Sequence, residues 1–306
     1  MADSLGTRLN GRQLLTRILA ARLVLEKTLD PSEKRVGILL PPTAGAAIVN
    51  AALALMGRVA VNLNYTSSQS ILETCIERAG IRHVISSPTF LSRIELEVGD
   101  FLLDAADLRK RLTTLQKIQA WTEATLMPLS LLERHLGLGS IRPDDVLTII
   151  FTSGSTGDPK GVVLSIENVG SNVRAISDLL HLSPADTALG VLPFFHSYGY
   201  TTALWVPLML EPAVVYHTNP LDAKVVGKLA RDYHATVLMA TPTFLRTYIR
   251  RTEPDDLSTL EVVFGAAEKL TTDVTDAFEE KFGVRPREAY GATAVSYTHL
   301  TLPTKA

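Results

Sequence analysis

The chain has 306 residues, a formal net charge of −2, and 46% hydrophobic against 20% charged residues. That length can bury a large core and calls for two domains or subdomains, while the near-neutral balance without a basic stripe argues against a nucleic-acid partner. A single cysteine, Cys75, excludes an internal disulfide and fits a reducing compartment; it reads more simply as a small buried apolar residue than as a nucleophile.

The N-terminus, MADSLGTRLNGRQ, lacks the basic start and apolar core of a signal peptide. Apolar residues at Leu15, Ile18, Leu19, Val24 and Leu25 predict an amphipathic helix over 11–29. A short strand over 36–40 ends at Pro41-Pro42. A helix over 44–57, a strand over 59–63, a helix over 68–79 and a strand over 83–86 follow. The apolar run 44–56 is broken by Asn50 and is too short for a bilayer. The chain is therefore expected to be cytoplasmic, or the soluble part of something larger. Leu108, Leu112, Leu115 and Ile118 mark one helix whose other face carries Arg109, Lys110 and Arg111 as a solvated surface. Gly137-Leu138-Gly139-Ser140 reads as a linker, so the first α/β subdomain is expected over 1–140 and a second over 141–293. In the second, strands are expected at 189–192, 213–217, 236–240 and 262–264. Helices are expected around 169–180, over 222–232, from Thr241 and over 272–282. Strands alternating with helices predict an α/β fold of two doubly wound, mostly parallel sheets with flanking helices.

One loop stands out. Thr152-Ser153-Gly154-Ser155-Thr156-Gly157-Asp158-Pro159-Lys160-Gly161 follows the apolar strand 146–151, so it leaves the carboxyl end of a sheet, where α/β proteins bind ligands. Glycines admit close backbone approach to an anion, hydroxyls and amides donate hydrogen bonds, and Lys160 adds positive charge. The spacing is not that of a Walker loop, which ends in Gly-Lys-Ser/Thr. A flexible Ser/Gly/Thr linker is the plainer alternative.

The string TSGSTGDPKG resembles the signature of the adenylate-forming (AMP-binding) enzymes, and three later segments match that pattern in order. The segment 192–199, LPFFHSYG, resembles the family's P-x-F-H-x-x-G stretch beside the acyl pocket. Residues 263–270, VFGAAEKL, with Gly265, Ala266 and Ala267, resemble the turn against adenine. Tyr290-Gly291-Ala292-Thr293 resembles the start of Y-G-x-T-E, whose tyrosine stacks on adenine and whose threonine meets the α-phosphate. Taken singly, His196 could be a satisfied core histidine and Tyr290 simple packing. The wording of these segments, with MATPTFLRTY at 239–248 and the stretch 36–66, is similar to the fatty-acid-activating branch. Within it the likeness is to the synthetase half of acylglycerophosphoethanolamine acyltransferase/acyl-ACP synthetases.

The resemblance implies ATP-dependent activation of a fatty acid to acyl-adenylate, then transfer to a thiol of acyl carrier protein or CoA. Activation of another carboxylic acid, such as by an aryl-CoA or fatty-acyl-AMP ligase, and a degenerate nucleotide-binding non-enzyme stay open. It implies that the 152–161 loop holds phosphates with Lys160 as counter-charge, that His196 positions the carboxylate, and that magnesium bridges the phosphates. Peripheral membrane association would come through an acyltransferase or membrane domain not seen in this sequence. Two departures stand out: Ile166 replaces the histidine of L-S-H-x-N, and Ala294 stands where the family has its magnesium-binding glutamate. No metal-ligating side chain is therefore assigned. Residues 294–306 read as translated transposase-type sequencing adaptor, so a glutamate is expected at 294 in the natural gene and the tail is expected to be non-native. A chain lacking the family's later strands and mobile C-terminal domain is expected to be inactive as a fragment.

Overall fold

The computed structural model describes residues 1–153, 158–291 and 293. In chain order its strands are β1 (Ala2–Asp3), β2 (Arg35–Ile38), β3 (Val59–Asn62), β4 (Val84–Ser86), β5 (Leu102–Asp104), β6 (Val146–Ser153) and β7 (Pro159–Ser165). They continue with β8 (Thr187–Gly190), β9 (Ala213–Tyr216), β10 (Val237–Ala240), β11 (Val262–Gly265) and β12 (Arg287–Glu288). They form two sheets, ordered β5-β4-β2-β3-β6-β7 and β1-β9-β8-β10-β11-β12. Among the described residues every pairing between these strands is parallel except the β6–β7 hairpin. The α/β architecture with mostly parallel sheets and flanking helices is as the sequence pattern predicts.

One compact unit is Leu9–Glu167. Its first helix, Gly11–Thr28, opens with a capping box: the Asn10 side chain accepts from Gln13 N–H at 2.9 Å and Gln13 Oε1 accepts from Asn10 N–H at 3.0 Å. Asn50, the polar break in the apolar helix Ala44–Leu55, is fully buried and exchanges side-chain hydrogen bonds with Asn62 of β3 at 2.8 and 3.2 Å. A buried amide is tolerated there because it is partnered. Thr148 Oγ1 donates to Ala60 O at 2.6 Å and ties β6 to β3. Beneath this sheet Leu39, Val61, Leu63, Leu72, Ile76 and Val84 pack with Cys75, a buried free thiol whose pKa desolvation pushes up to about 11.

The other unit joins Met1–Arg8 to the chain from Asn168 onward. β1 pairs with β9 in the register Ala2↔Val215 and Asp3↔Tyr216. Tyr248 and Phe278 are fully buried among Val226, Leu238, Leu245 and Val263, and the Tyr248 hydroxyl donates to Pro220 O at 2.9 Å.

Three expectations shift. The division falls at 167/168 rather than at 140/141, because β6 joins β3 and β7 closes the same sheet. Residues 137–140 do not separate units; Leu138–Ser140 is a 3₁₀ turn within the first. The helix expected through Leu108, Leu112, Leu115 and Ile118 is two helices, Ala105–Arg111 and Thr114–Leu126, because Thr113 caps a new start by accepting from Gln116 N–H. Residues 294–306 lie outside the described residues.

Candidate functional site

In the first unit the connection after β3 crosses to β4 on one side, whereas that after β6 turns to β7 on the other. The connections leaving the carboxyl ends of the neighbouring strands β3 and β6 thus part to opposite sides, and such a switch point is where open α/β sheets place ligands. The hairpin register sets Thr152 opposite Lys160 and Ser153 opposite Pro159. Thr152 Oγ1 reaches Lys160 O at 3.5 Å, and Lys160 is exposed at the mouth of the turn. Arg78, at the end of helix Gln69–Ala79, braces the far side. Its guanidinium donates to Pro159 O at 2.7 Å and to Asp158 Oδ2 at 2.9 Å. Gly154, Ser155, Thr156 and Gly157 lie outside the described residues. Ile166 begins the helix Ile166–Leu180, its N–H donating to Asp145 O at 3.0 Å.

In the second sheet the connection after β8 leads to β9 on one side, whereas that after β10 leads to β11 on the other. The chain leaving β8 passes Pro193 and turns back at Gly199, where an added Cβ would lie 2.2 Å from Pro193 O. Only glycine permits that approach. His196 caps the turn Ser197–Gly199, its Nδ1 accepting from Tyr198 N–H at 3.3 Å. The imidazole is exposed by area, yet the protein around it strips enough solvation to lower its pKa. A neutral ring that accepts at Nδ1 carries its proton on Nε2, so the outward nitrogen is a donor. One turn of π-helix, Tyr200–Trp205, follows; such turns recur at functional sites.

Beyond β11 comes the turn Gly265-Ala266-Ala267. Ala266 N–H donates to Ala240 O at 3.1 Å, and Ala289 N–H to Gly265 O at 2.9 Å, so the turn is held between the ends of β10 and β12. Ala267 has φ +69, a left-handed conformation that costs an L-residue on the order of 1 kcal/mol. Glu268 secures it by accepting from Thr243 N–H at 3.2 Å and Thr243 O–H at 2.7 Å at the start of helix Pro242–Arg251. Tyr290 follows, 71% exposed, and presents its ring at the sheet edge.

Two contacts draw these segments together. Ser197 Oγ and Thr293 Oγ1 are hydrogen-bonded at 2.9 Å, and the Tyr198 hydroxyl donates to Phe264 O at 3.4 Å. His196, the 265–267 turn, Tyr290, Gly291 and Thr293 thus share one edge of one sheet; Ala292 lies outside the described residues. Thr152, Ser153 and Lys160 belong to the other unit. Arg78, Ser197 and Glu268 make contacts here that the sequence did not single out. Ser197 lay inside a recognised segment, whereas nothing near Arg78 in the sequence points to a partner 80 residues away. Among the described residues no group of three or more His, Cys, Asp or Glu could hold a metal ion.

The chain is 24% identical to a 4-coumarate-CoA ligase of Narcissus pseudonarcissus over 271 residues, covering 84% of this chain and 47% of that protein. It is 24% identical to a long-chain-fatty-acid–CoA ligase of Bacillus subtilis over 320 residues, covering 95% of this chain and 56% of that one. The chain thus spans about half the length of the curated relatives it matches. Its fold is similar to that of MatB from Rhodopseudomonas palustris in an ATP-bound state, with a TM-score of 0.73 at 21% identity, over 95% of this chain and 56% of that one. The profile of the AMP-binding enzymes matches residues 3–305, and the chain belongs to that family.

Proposed function

We propose that this chain supplies the nucleotide- and carboxylate-binding portion of an ATP-dependent acid–thiol ligase that activates a fatty acid. The observation that carries the reading is the gathering, at one sheet edge, of a donor imidazole, a hydroxyl pair, a backbone-lined turn and an exposed aromatic ring. Each has a part in the chemistry. Tyr290 offers a face for a purine to stack on, and the 265–267 turn offers backbone groups to its edge. The Ser197–Thr293 pair fixes a hydroxyl for the α-phosphate, and the Nε2 proton of His196 donates to a carboxylate.

In the first step a carboxylate oxygen attacks the α-phosphorus, the bond to the β-phosphate breaks, and pyrophosphate leaves. In the second a thiolate displaces AMP from the acyl carbon. Two anions must meet in the first step, so alignment and charge neutralisation dominate its barrier. The charge of Lys160 and the hydroxyl of Thr152, in the loop that resembles the family's phosphate-binding signature, support a role in neutralising the departing phosphates. Magnesium would enter as a partner of the nucleotide's own phosphates. When bound it would lower the charge on those phosphates.

The fatty-acid reading rests on the 192–199 and 239–248 segments and on the long-chain ligase among the relatives. The coumarate ligases favour an aryl acid as the second reading. The names of the relatives favour CoA as acceptor, and the sequence resemblance favours acyl carrier protein. Calorimetric titration with ATP and with non-hydrolysable acyl-sulfamoyl adenosines tests the reading. ATP should bind, Lys160→Ala should weaken it about tenfold, and a long-chain acyl analogue should outcompete a coumaroyl one. A folded chain that binds neither nucleotide nor analogue rejects the proposal.

A further inference from the structure

Helix Thr114–Leu126 is built inside out. Its buried positions are Gln116, Ala120 and Glu123, whereas Leu115, Ile118, Trp121 and Leu126 are 75, 56, 51 and 65% exposed. Leu129, opening the next helix, is 70% exposed. The orientation is fixed by specific bonds on the inner side. Gln116 Nε2 donates to Leu23 O at 3.3 Å, and Glu123 Oε1 meets Gln119 Nε2 at 2.8 Å and His135 Nε2 at 3.2 Å. A helix that buries its amide and carboxylate while leaving four large apolar side chains in water has an outer face made to be covered.

The charges around the strip say by what. The chain as a whole is acidic, with a net charge of −2. Between residues 105 and 135 it carries five Lys and Arg against three acids, and one of those acids, Glu123, is buried. Arg109 and Arg111 lie beyond one end of the strip, Arg134 beyond the other, and Lys117 beside it; all four are exposed. A second copy of the same face would bring these cations against one another. An anionic surface would not. The strip from Leu115 to Leu126 runs about 17 Å along a convex helix, with a tryptophan among leucines and cations at the ends, which is the pattern of a helix lying in a bilayer interface.

We propose that helix Thr114–Leu126 docks this protein on an anionic lipid surface, with Leu115, Ile118, Trp121 and Leu126 in the acyl boundary and the flanking arginines on the headgroups. The inference is independent of the nucleotide chemistry. It is tested by sedimenting the full 306-residue chain with vesicles of phosphatidylcholine, alone or with phosphatidylglycerol added. The chain should pellet with the anionic vesicles and at least tenfold less with the neutral ones, and salt should release it. The triple variant L115Q/I118Q/W121Q and the pair R109E/R111E should each lower binding at least tenfold while circular dichroism stays unchanged. In a Trp205→Phe background, emission from Trp121 should shift to the blue on vesicle addition. Binding that survives both variants, or equal binding to neutral vesicles, overturns the proposal. So does a vesicle-independent dimer abolished by L115Q/I118Q/W121Q, which would make a second copy the occupant. Loss of binding in a longer protein carrying this chain would assign the strip to another segment and overturn it equally.

Discussion

The two sheets present their candidate functional edges in opposite ways. At the β6–β7 hairpin the candidate groups are neighbours in sequence, and the antiparallel ladder holds Thr152 across from Lys160. At the edge of β8, β10, β11 and β12 the groups come from four separated segments, joined by single contacts such as Ser197–Thr293 and Ala289–Gly265. A hairpin edge needs little beyond its own register. An assembled edge needs every backbone approach to be right, so small changes far from the chemistry should disturb it more. Substitutions of matched type at the two edges test that contrast.

The largest effect is expected for Gly199→Ala. The new Cβ would meet the Pro193 carbonyl oxygen at 2.2 Å, backbone against backbone, with nothing flexible to yield. A loss of about 3 kcal/mol or more follows, at the upper end of overpacking costs. The same change at Gly161 in the hairpin meets the Ile149 and Phe151 side-chain tips at 3.0 and 3.2 Å, which can shift. It should cost about 1 kcal/mol. Urea unfolding followed in both variants measures the gap, and equal losses would erase the distinction.

His196 sharpens the contrast chemically. Removing one donor to a charged ligand costs about 1.5–3 kcal/mol. His196→Ala should therefore weaken an acyl-sulfamoyl adenosine about 10- to 100-fold while leaving ATP affinity within about twofold. Stability carries a pH signature as well. Desolvation holds the imidazoles of His196 and His217 below the ordinary 6.5, in His217 against an opposing pull from Asp222. In each the folded form binds its proton less readily than the unfolded form. Their contribution is present above pH 6.5 and is lost as pH falls through the depressed folded values. A unit bearing His196→Gln and His217→Gln should lose less stability between pH 7 and pH 5, about the range over which an unfolded histidine titrates. Unchanged acid sensitivity in the double variant would refute the assignment.

Legibility in the sequence follows the same divide. Helix Thr272–Phe282 and the strands β2, β3, β4, β6, β8, β9, β10 and β11 were readable because apolar periodicity reports burial against one neighbouring layer, whereas the short strands β5 and β12 were not read. The hairpin was half readable. The composition of residues 152–161 marks a loop after β6, proposed here to bind an anion, but β7 was missed, since PKGVVLS reads as the end of a loop and its strand character comes from pairing with β6. The β1 dipeptide Ala2–Asp3 is too short to show any period. Leu115 and Ile118 misled, because helical spacing of leucines implies an inward face only when a core lies against it. At the assembled edge, Gly265, Tyr290 and Thr293 each stood out as segments, but the Ser197–Thr293 bond joins residues 96 apart and leaves no local trace.

That bond carries the next prediction. Ser197→Ala leaves the Thr293 hydroxyl without this partner at the place proposed for the α-phosphate. A neutral hydrogen bond is worth about 1 kcal/mol, so nucleotide affinity should fall about fivefold with no change in the helix signal. Ser197→Thr, which keeps the hydroxyl, should restore most of it.

The smallest effect belongs to the hairpin, and it decides whether that edge is as self-sufficient as its ladder implies. Arg78 reaches Pro159 and Asp158 from the helix Gln69–Ala79, but 46% of its side chain and 71% of that of Asp158 are exposed. Water screens such a pair to at most about 1 kcal/mol, so Arg78→Ala should scarcely move the unfolding midpoint. Its guanidinium nevertheless holds the strand that carries Lys160, so ATP affinity should fall about two- to fourfold, and Arg78→Lys, which cannot make the forked contact, should recover only part of it. Asp158→Asn separates the two contacts of the fork, because it keeps the Pro159 carbonyl bond and removes the ion pair. If Asp158→Asn matches wild type while Arg78→Ala does not, the carbonyl bond sets the strand. If neither variant changes ATP affinity, the β6–β7 ladder alone positions Lys160, and the first edge needs no support from the rest of its unit.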